Sequence, residues 1–176
     1  DHLILTKLIG TGVILAADMH NQSKGEWHKA ALNSMLLSNK NASSLFASLG
    51  VLACTDVTGF GLAGHLSEML EASHCSAELS IDNIPCLEGA VALSKQGIKS
   101  SLFPQNYALI KALSVSENLK KHAKFELLFD PQTSGGLLAG VNDAALEKLQ
   151  TQQDVEFTVI GRVVESLDQD WCLTFA

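Results

Sequence analysis

Asp56 heads the run Asp56-Val57-Thr58-Gly59-Phe60-Gly61-Leu62-Ala63-Gly64, in which one carboxylate is followed by three glycines. That pairing suits phosphate chemistry. The apolar residues 51–54 ahead of it read as a buried strand. Leu62, Leu66, Met69 and Leu70 follow at helical spacing, so the glycines fall at a strand-to-helix turn. Such a turn lets backbone N–H groups approach a ligand, and a helix N-terminus favours anions. Asp56 would repel a bare phosphate. It fits once a hard cation lies between them, because Mg²⁺ takes one or two carboxylates together with substrate phosphate oxygens. On this reading Asp56 is a metal ligand, and Thr58, Gly59 and Gly61 belong to a phosphate cradle.

Plainer readings of the same residues stay open. Asp56 and Thr58 are both types favoured at helix N-caps, and the glycines could serve only close strand–helix packing. Residues 59–64 also match the G-x-G-x-x-G dinucleotide fingerprint, with Glu78 and Asp82 near the distance of its ribose-binding acid. Against that, too little chain follows for regular βαβ repeats, and Asp56 would face the pyrophosphate. A second glycine turn, Thr133-Ser134-Gly135-Gly136, follows the apolar residues 125–129, which read as a strand, and leads into Leu137-Leu138-Ala139. Thr133, Ser134 and Gly135 could form an anion-binding nest of N–H groups or an ordinary hairpin turn. His65 reads as a hydrogen-bonded packing residue and Lys7 as a surface cation.

Asp56-Val57-Thr58-Gly59-Phe60-Gly61 and Asp130-Pro131-Gln132-Thr133-Ser134-Gly135-Gly136-Leu137-Leu138 together resemble the carboxyl-terminal domain of selenophosphate synthetases (selenide, water dikinases). Leu5-Thr6-Lys7 and Gly10-Thr11-Gly12-Val13 near the start, and Ile160-Gly161 near the end, extend the resemblance over nearly the whole chain. Those enzymes belong to the larger family of ATP-using enzymes related to aminoimidazole ribonucleotide synthetase. The resemblance implies an α+β fold, a layered α/β/α domain with a mixed sheet. It also implies the conversion of ATP, selenide and water to selenophosphate, AMP and phosphate. Asp56 would then be a Mg²⁺ ligand that helps to hold the ATP phosphates. The remaining metal ligands, most nucleotide contacts, and the catalytic Cys or selenocysteine and Lys would lie in an amino-terminal domain outside this chain. Residues 1–176 would be one domain of a longer, cytoplasmic, homodimeric enzyme, inactive when isolated, with no catalytic residue of its own and its own amino-terminal domain as partner. The rivals are a domain of another ATP-using enzyme of the same superfamily and a non-catalytic packing module.

Two departures from the family pattern stand out. Leu8 occupies a usual proline position, and Ser100-Ser101-Leu102-Phe103-Pro104-Gln105-Asn106 replaces a Gly-Gly-Thr segment followed by Arg-Asn. Asn106 remains. The arginine, a planar and permanently charged donor suited to phosphate, does not.

Composition narrows the classes. With 176 residues, 47% apolar and 18% charged, the chain is of ordinary globular make-up and large enough to bury a core without disulfides or metal. A formal net charge of −7 argues against a nucleic-acid partner. The basic cluster Lys120, Lys121 and Lys124 reads as a solvated helix face. No run approaches the ~18 apolar residues of a membrane span. Cys54, Cys75, Cys86 and Cys172 form no C-x-x-C pair and read as small core residues in a reducing compartment rather than zinc ligands.

To position the two turns, the chain must supply both strands and helices. Residues 3–8 read as a strand, and Gly10-Thr11-Gly12 opens a helix to Met19. Ser23 reads as the cap of a second helix, whose pattern continues past a break at Asn39-Lys40-Asn41 to Leu49. Further helices are expected over residues 62–72, 87–96, 104–113, 118–123 and 143–151. Further strands are expected over 75–81, 137–139 and 157–164, and a last segment of unassigned type covers 171–175. This mixture without strict alternation points to a layered α+β domain with a mixed sheet.

Overall fold

The computed structural model describes residues 1–113, 115–152, 154–165 and 173–175. Six strands form one sheet: β1 (His2–Leu5), β2 (Cys54–Asp56), β3 (Ser76–Leu79), β4 (Leu137–Val141), β5 (Thr158–Val164) and β6 (Leu173–Phe175). Their order is β2-β4-β1-β5-β3-β6. Neighbours run antiparallel except β3 and β6, which are parallel, so the sheet is mixed. The helices are α1 (Thr11–Met19), α2 (Gly25–Leu36), α3 (Lys40–Ser48), α4 (Gly61–Ser73), α5 (Ala90–Lys95), α6 (Phe103–Tyr107), α7 (Glu117–Lys120) and α8 (Asp143–Gln150).

Alternation along β1 shows why both faces of the sheet are covered, since successive side chains of a strand point to opposite faces. Leu3 and Leu5 join a core with Val13 and Ile14 of α1, Leu62 and Leu66 of α4, and Leu93 of α5. Ile4 points the other way, into a second core with Ala42 and Phe46 of α3 and Ala145 and Leu149 of α8. The result is the expected α+β domain, helices on either side of a mixed sheet.

Several expectations fail for identifiable reasons. Residues 125–129 are not a strand. Glu126–Phe129 forms a 3-10 turn whose Leu127, Leu128 and Phe129 are buried against helices, so the second glycine turn is no hairpin. A short apolar run has the same pattern in either conformation. The predicted buried strand at residues 51–54 is also displaced: β2 starts at Cys54, and Leu52 is 97% exposed. Because β2 is an edge strand, its side chains are less covered than those of the central strands. The second helix begins at Gly25 with Lys24 at its N-cap. Ser23 therefore lies one residue too early to cap it and donates instead to the Lys24 carbonyl at 3.3 Å. The dinucleotide reading fails on topology: β2 pairs only with antiparallel β4, and Glu78 of β3 is paired with Arg162. Lys124 is more than a solvated cation, donating to the carbonyls of Asp82 at 2.6 Å and Ile84 at 2.8 Å.

The cysteines differ from expectation as well. Cys54 is exposed, Cys75 and Cys86 are half-buried, and Cys172 lies outside the described residues. Burial pushes the Cys86 thiol up to about 11, whereas Cys54 is raised by partial burial and by Asp56 nearby. Only a thiolate attacks, and only where the reagent can reach it. Native protein is therefore expected to be labelled at Cys54 well before Cys86. Mass spectrometry after a short alkylation checks this, and the reverse order would contradict the edge position of β2.

Candidate active site

The two glycine segments, some 75 residues apart in sequence, form one loop cluster at the end of β2 and β4. In register, Asp56 lies opposite Leu137. Beyond that pair the Val57 N–H donates to the Gly136 carbonyl at 2.9 Å, and the Gln132 N–H donates to the Thr58 carbonyl at 2.9 Å. Asn106, kept from the family pattern, is buried and bridges the cluster. Its Nδ2 donates to the carbonyls of Gly59 at 2.8 Å and Phe129 at 3.0 Å. All the residues singled out from sequence are thus brought together: Asp56, Thr58, Gly59 and Gly61 on one side, Thr133, Ser134 and Gly135 on the other.

Their local roles differ. Asp56 is exposed, and its carboxylate accepts no hydrogen bond from the described residues. It does not cap α4, whose N-cap is Phe60 without a side-chain hydrogen bond. Thr58 does not cap it either. Its hydroxyl pairs with His65 Nε2 at 3.1 Å, while His65 Nδ1 meets Glu68 Oε2 at 3.1 Å. A proton on Nδ1 lets the imidazole donate to the carboxylate and accept from the hydroxyl. His65 is the packing residue that was expected. Gly61 has a φ of +71°, and a Cβ there would lie 2.9 Å from the Leu128 carbonyl oxygen. A Cβ on Gly135 would lie 2.1 Å from the Val57 carbonyl oxygen. These two glycines permit backbone to pass backbone. Gly59 has no other atom within 4 Å of the corresponding position and is open to a ligand.

In a trans peptide the C=O of one residue and the N–H of the next point in opposite directions. The carbonyls of Thr58 and Gly59 are held by donors within the protein. The N–H groups of Gly59 and Phe60 therefore point away from those donors, and neither meets an acceptor among the described residues. Phe60 is itself exposed at the N-cap of α4. Unspent N–H groups at a helix start beside an unspent carboxylate can take an anion and a cation together.

Sequence reasoning missed the support beneath this surface. Helix α1 carries no capping side chain of its own. Gln132 Oε1 accepts from the N–H groups of Gly10 at 2.9 Å and Thr11 at 3.1 Å, and Asp130 Oδ2 accepts from the Val13 N–H at 3.1 Å. Gln132 Nε2 in turn donates to Asp130 Oδ2 at 3.1 Å. Two residues just ahead of the second turn thus satisfy orphan donors of α1 across more than a hundred residues. The Thr133 N–H returns the tie by donating to Thr11 Oγ1 at 3.0 Å. Asp130 is 2% exposed. Burial pushes its carboxyl up to about 7, against the opposing pull of the Val13 N–H, the Gln132 amide, the Gly12 N–H and Lys99. Lys7, expected at the surface, is 6% exposed, and burial lowers its ammonium below the ordinary lysine range. The only sequence signal for these partners was their presence inside the family motifs.

As a metal centre the cluster is incomplete. Among the described residues no group of three or more His, Cys, Asp or Glu is gathered to hold an ion. Asp56 could supply one oxygen ligand, and a full shell for Mg²⁺ needs others from elsewhere. The divergent loop offers no charge in place of the missing arginine. Gln105 lines a groove of about 290 Å³ beside Phe60, Gly64, Ser67 and Glu68.

The family described as AIR synthase related protein, C-terminal domain, matches residues 1–169. A selenide, water dikinase of Caldanaerobacter subterraneus is 37% identical over 174 residues, covering 97% of this chain and 50% of that protein. Those of Clostridioides difficile and Treponema denticola are 34% and 37% identical, covering 93% and 92% of this chain and 48% and 46% of theirs. The chain spans about half the length of the curated relatives it matches. Among solved structures, the hydrogenase maturation protein HypE superposes with a TM-score of 0.68 at 14% identity, over 99% of this chain and 49% of that one. Thiamine monophosphate kinase of Aquifex aeolicus superposes with a TM-score of 0.61 at 14% identity, over 98% of this chain and 49% of that one. At such identities these structures share the fold alone.

Proposed function

Since this chain belongs to the family of AIR synthase related protein C-terminal domains, we propose that it is the carboxyl-terminal half of a selenide, water dikinase. That enzyme turns ATP, selenide and water into selenophosphate, AMP and phosphate. One structural observation supports this reading above the others: the Asp56 carboxylate is left unspent beside unspent N–H groups of the first glycine turn. A packing module has no use for that arrangement, since neither Asp56 nor Thr58 caps a helix. Within the superfamily, the relatives named selenide, water dikinase favour selenium chemistry over another ATP-dependent reaction.

In this proposal Asp56 contributes one ligand to Mg²⁺, the amino-terminal domain contributes the others, and Gly59 and Phe60 N–H groups donate to phosphate oxygens. The turn of Thr133, Ser134 and Gly135 closes the far side of the same anionic group. The Thr58–His65–Glu68 chain and the Asn106 bridge keep the first turn in place, so that its donors need no rearrangement as charge develops. When bound, the cation neutralises charge on the transferring phosphoryl oxygens. Nucleophile and catalytic lysine come from the amino-terminal domain, which is the partner. The full protein is proposed to be cytoplasmic and homodimeric. Among the described residues no helix is long and apolar enough to cross a membrane.

An isolated half with one ligand and no nucleophile should be inert. The purified 176-residue chain is expected to fold, yet to form no AMP from Mg-ATP, whereas the full-length protein forms it when selenide is added. Magnesium-dependent AMP production by the chain alone would overturn this division of labour.

A further inference from the structure

Lys7 is a buried cation that the proposed chemistry does not use. Its Nζ donates to the carbonyls of Leu37 at 2.6 Å and Ser134 at 2.9 Å, and among the described residues no carboxylate forms an ion pair with it. Glu156 and Asp154 line cavities that also border Lys7, but lie beyond ion-pair distance. Removing an ammonium from water without a counter-charge is costly, so its two carbonyl contacts must matter to the fold around them. One of them is unusual. Ser134 has a φ of +50°, the left-handed region that a residue other than glycine enters only when its surroundings enforce it.

The enforcement comes from one side. Lys7 holds the Ser134 carbonyl, and Asn39 Nδ2 holds the Gly135 carbonyl at 2.9 Å. Gly136 packs directly on Lys7, where a Cβ would lie 2.5 Å from the Lys7 backbone nitrogen. In a trans peptide, a Ser134 carbonyl drawn toward Lys7 turns the Gly135 N–H away from it. Gly135 lies against the Val57 carbonyl of the first glycine turn, and its N–H meets no acceptor among the described residues.

We infer that Lys7, assisted by Asn39, is a positioning residue that aims the Gly135 N–H at an anionic oxygen of the nucleotide. The inference rests on the proposed function and deepens it. Lys7 itself does not touch the anion; it fixes the peptide plane that does. Because a ground-state contact acts on binding, loss of the aim raises KM more than it lowers kcat.

The test uses the full-length protein, with Lys7→Met, which keeps the stem and removes the donors, and Asn39→Ala at a half-exposed position. Lys7→Met is expected to raise KM for Mg-ATP about tenfold, and Asn39→Ala about threefold, with kcat changed less than about twofold. Glycine-selective amide NMR is expected to show the Gly135 signal shifting with Mg-ATP in the wild type and losing that shift in Lys7→Met. Should Lys7→Met fail to fold, Asn39→Ala decides. An unchanged KM in the folded variants, a fall in kcat alone, or a wild-type Gly135 signal indifferent to Mg-ATP overturns the inference. A wild-type enzyme that makes no AMP from ATP and selenide sinks the functional reading itself, a result separable from any of these.

Discussion

Asp56→Asn in the full-length protein is expected to lower Mg-dependent turnover on the order of a hundredfold or more, while the domain melts within a few degrees of wild type. The loss is on the scale seen when one group stabilising transition-state charge is removed. Stability should hold because the side chain is exposed and bonded to nothing within the described residues. A surface change of that kind costs at most about 0.5 kcal/mol. The replacement keeps the shape and removes one negative charge, so cation affinity falls with turnover and added magnesium restores part of the rate. Near-normal turnover at ordinary magnesium would remove Asp56 from the metal site. A collapse in melting temperature would make it structural.

Asp130 should leave the second large signature, in the pH dependence of stability. Its carboxyl is raised from 3.8 to about 7 in the folded chain, chiefly by burial. A raised acid binds its proton more tightly when folded than when unfolded. Its stabilising contribution is therefore complete below the unfolded value and is lost as pH climbs through the folded one. Between pH about 4 and about 7 the contribution falls by roughly 4 kcal/mol, at 1.36 kcal/mol per unit. The amide introduced by Asp130→Asn keeps an acceptor for the Val13 N–H but has no proton to lose. The variant's stability is expected to vary less steeply than wild type across that window, so that wild type loses stability relative to the variant between pH 5 and pH 8. Chemical denaturation at pH 5 and pH 8 measures it, and parallel curves would show that Asp130 does not titrate there.

How much of this was legible in the sequence depended on the range over which each feature is decided. Helix α4 and helix α8 follow from local spacing, and Asn142 caps α8 through the Ala145 N–H at 2.9 Å, a bond between near neighbours. The alternation of β1 into two cores was implicit in its apolar run, though the strand stops at Leu5. The apolar runs at residues 51–54 and 125–129 misled for one reason. Hydrophobicity declares that a segment wants cover, but not whether a strand neighbour or a helix will provide it. Leu52 ends up in solvent, and Phe129 ends up in a 3-10 turn.

The two glycine turns were recognisable as a pair, yet most of their glycines answer to packing. Gly61 and Gly135 make room for carbonyl groups of other segments, and Gly59 alone of the three candidates faces open space. The parts that stayed hidden are long-range. Lys7, Asp130 and Gln132 each find a partner more than a hundred residues away, and no local pattern distinguishes a lysine that will be buried from one that will not. Polar residues inside family motifs were the signal available, and their role became visible only with the carbonyls and helix end they hold.

Whether this chain completes an enzyme of selenium activation is tested most directly by product analysis of the full-length protein. Phosphorus NMR would follow its incubation with Mg-ATP and selenide, and with Mg-ATP alone. The expected products are AMP, phosphate and a species with a selenium-coupled phosphorus signal, the last absent when selenide is withheld. ADP as the lasting product, or ATP consumption without any phosphorus–selenium coupling, would contradict that role and return the chain to another branch of its family.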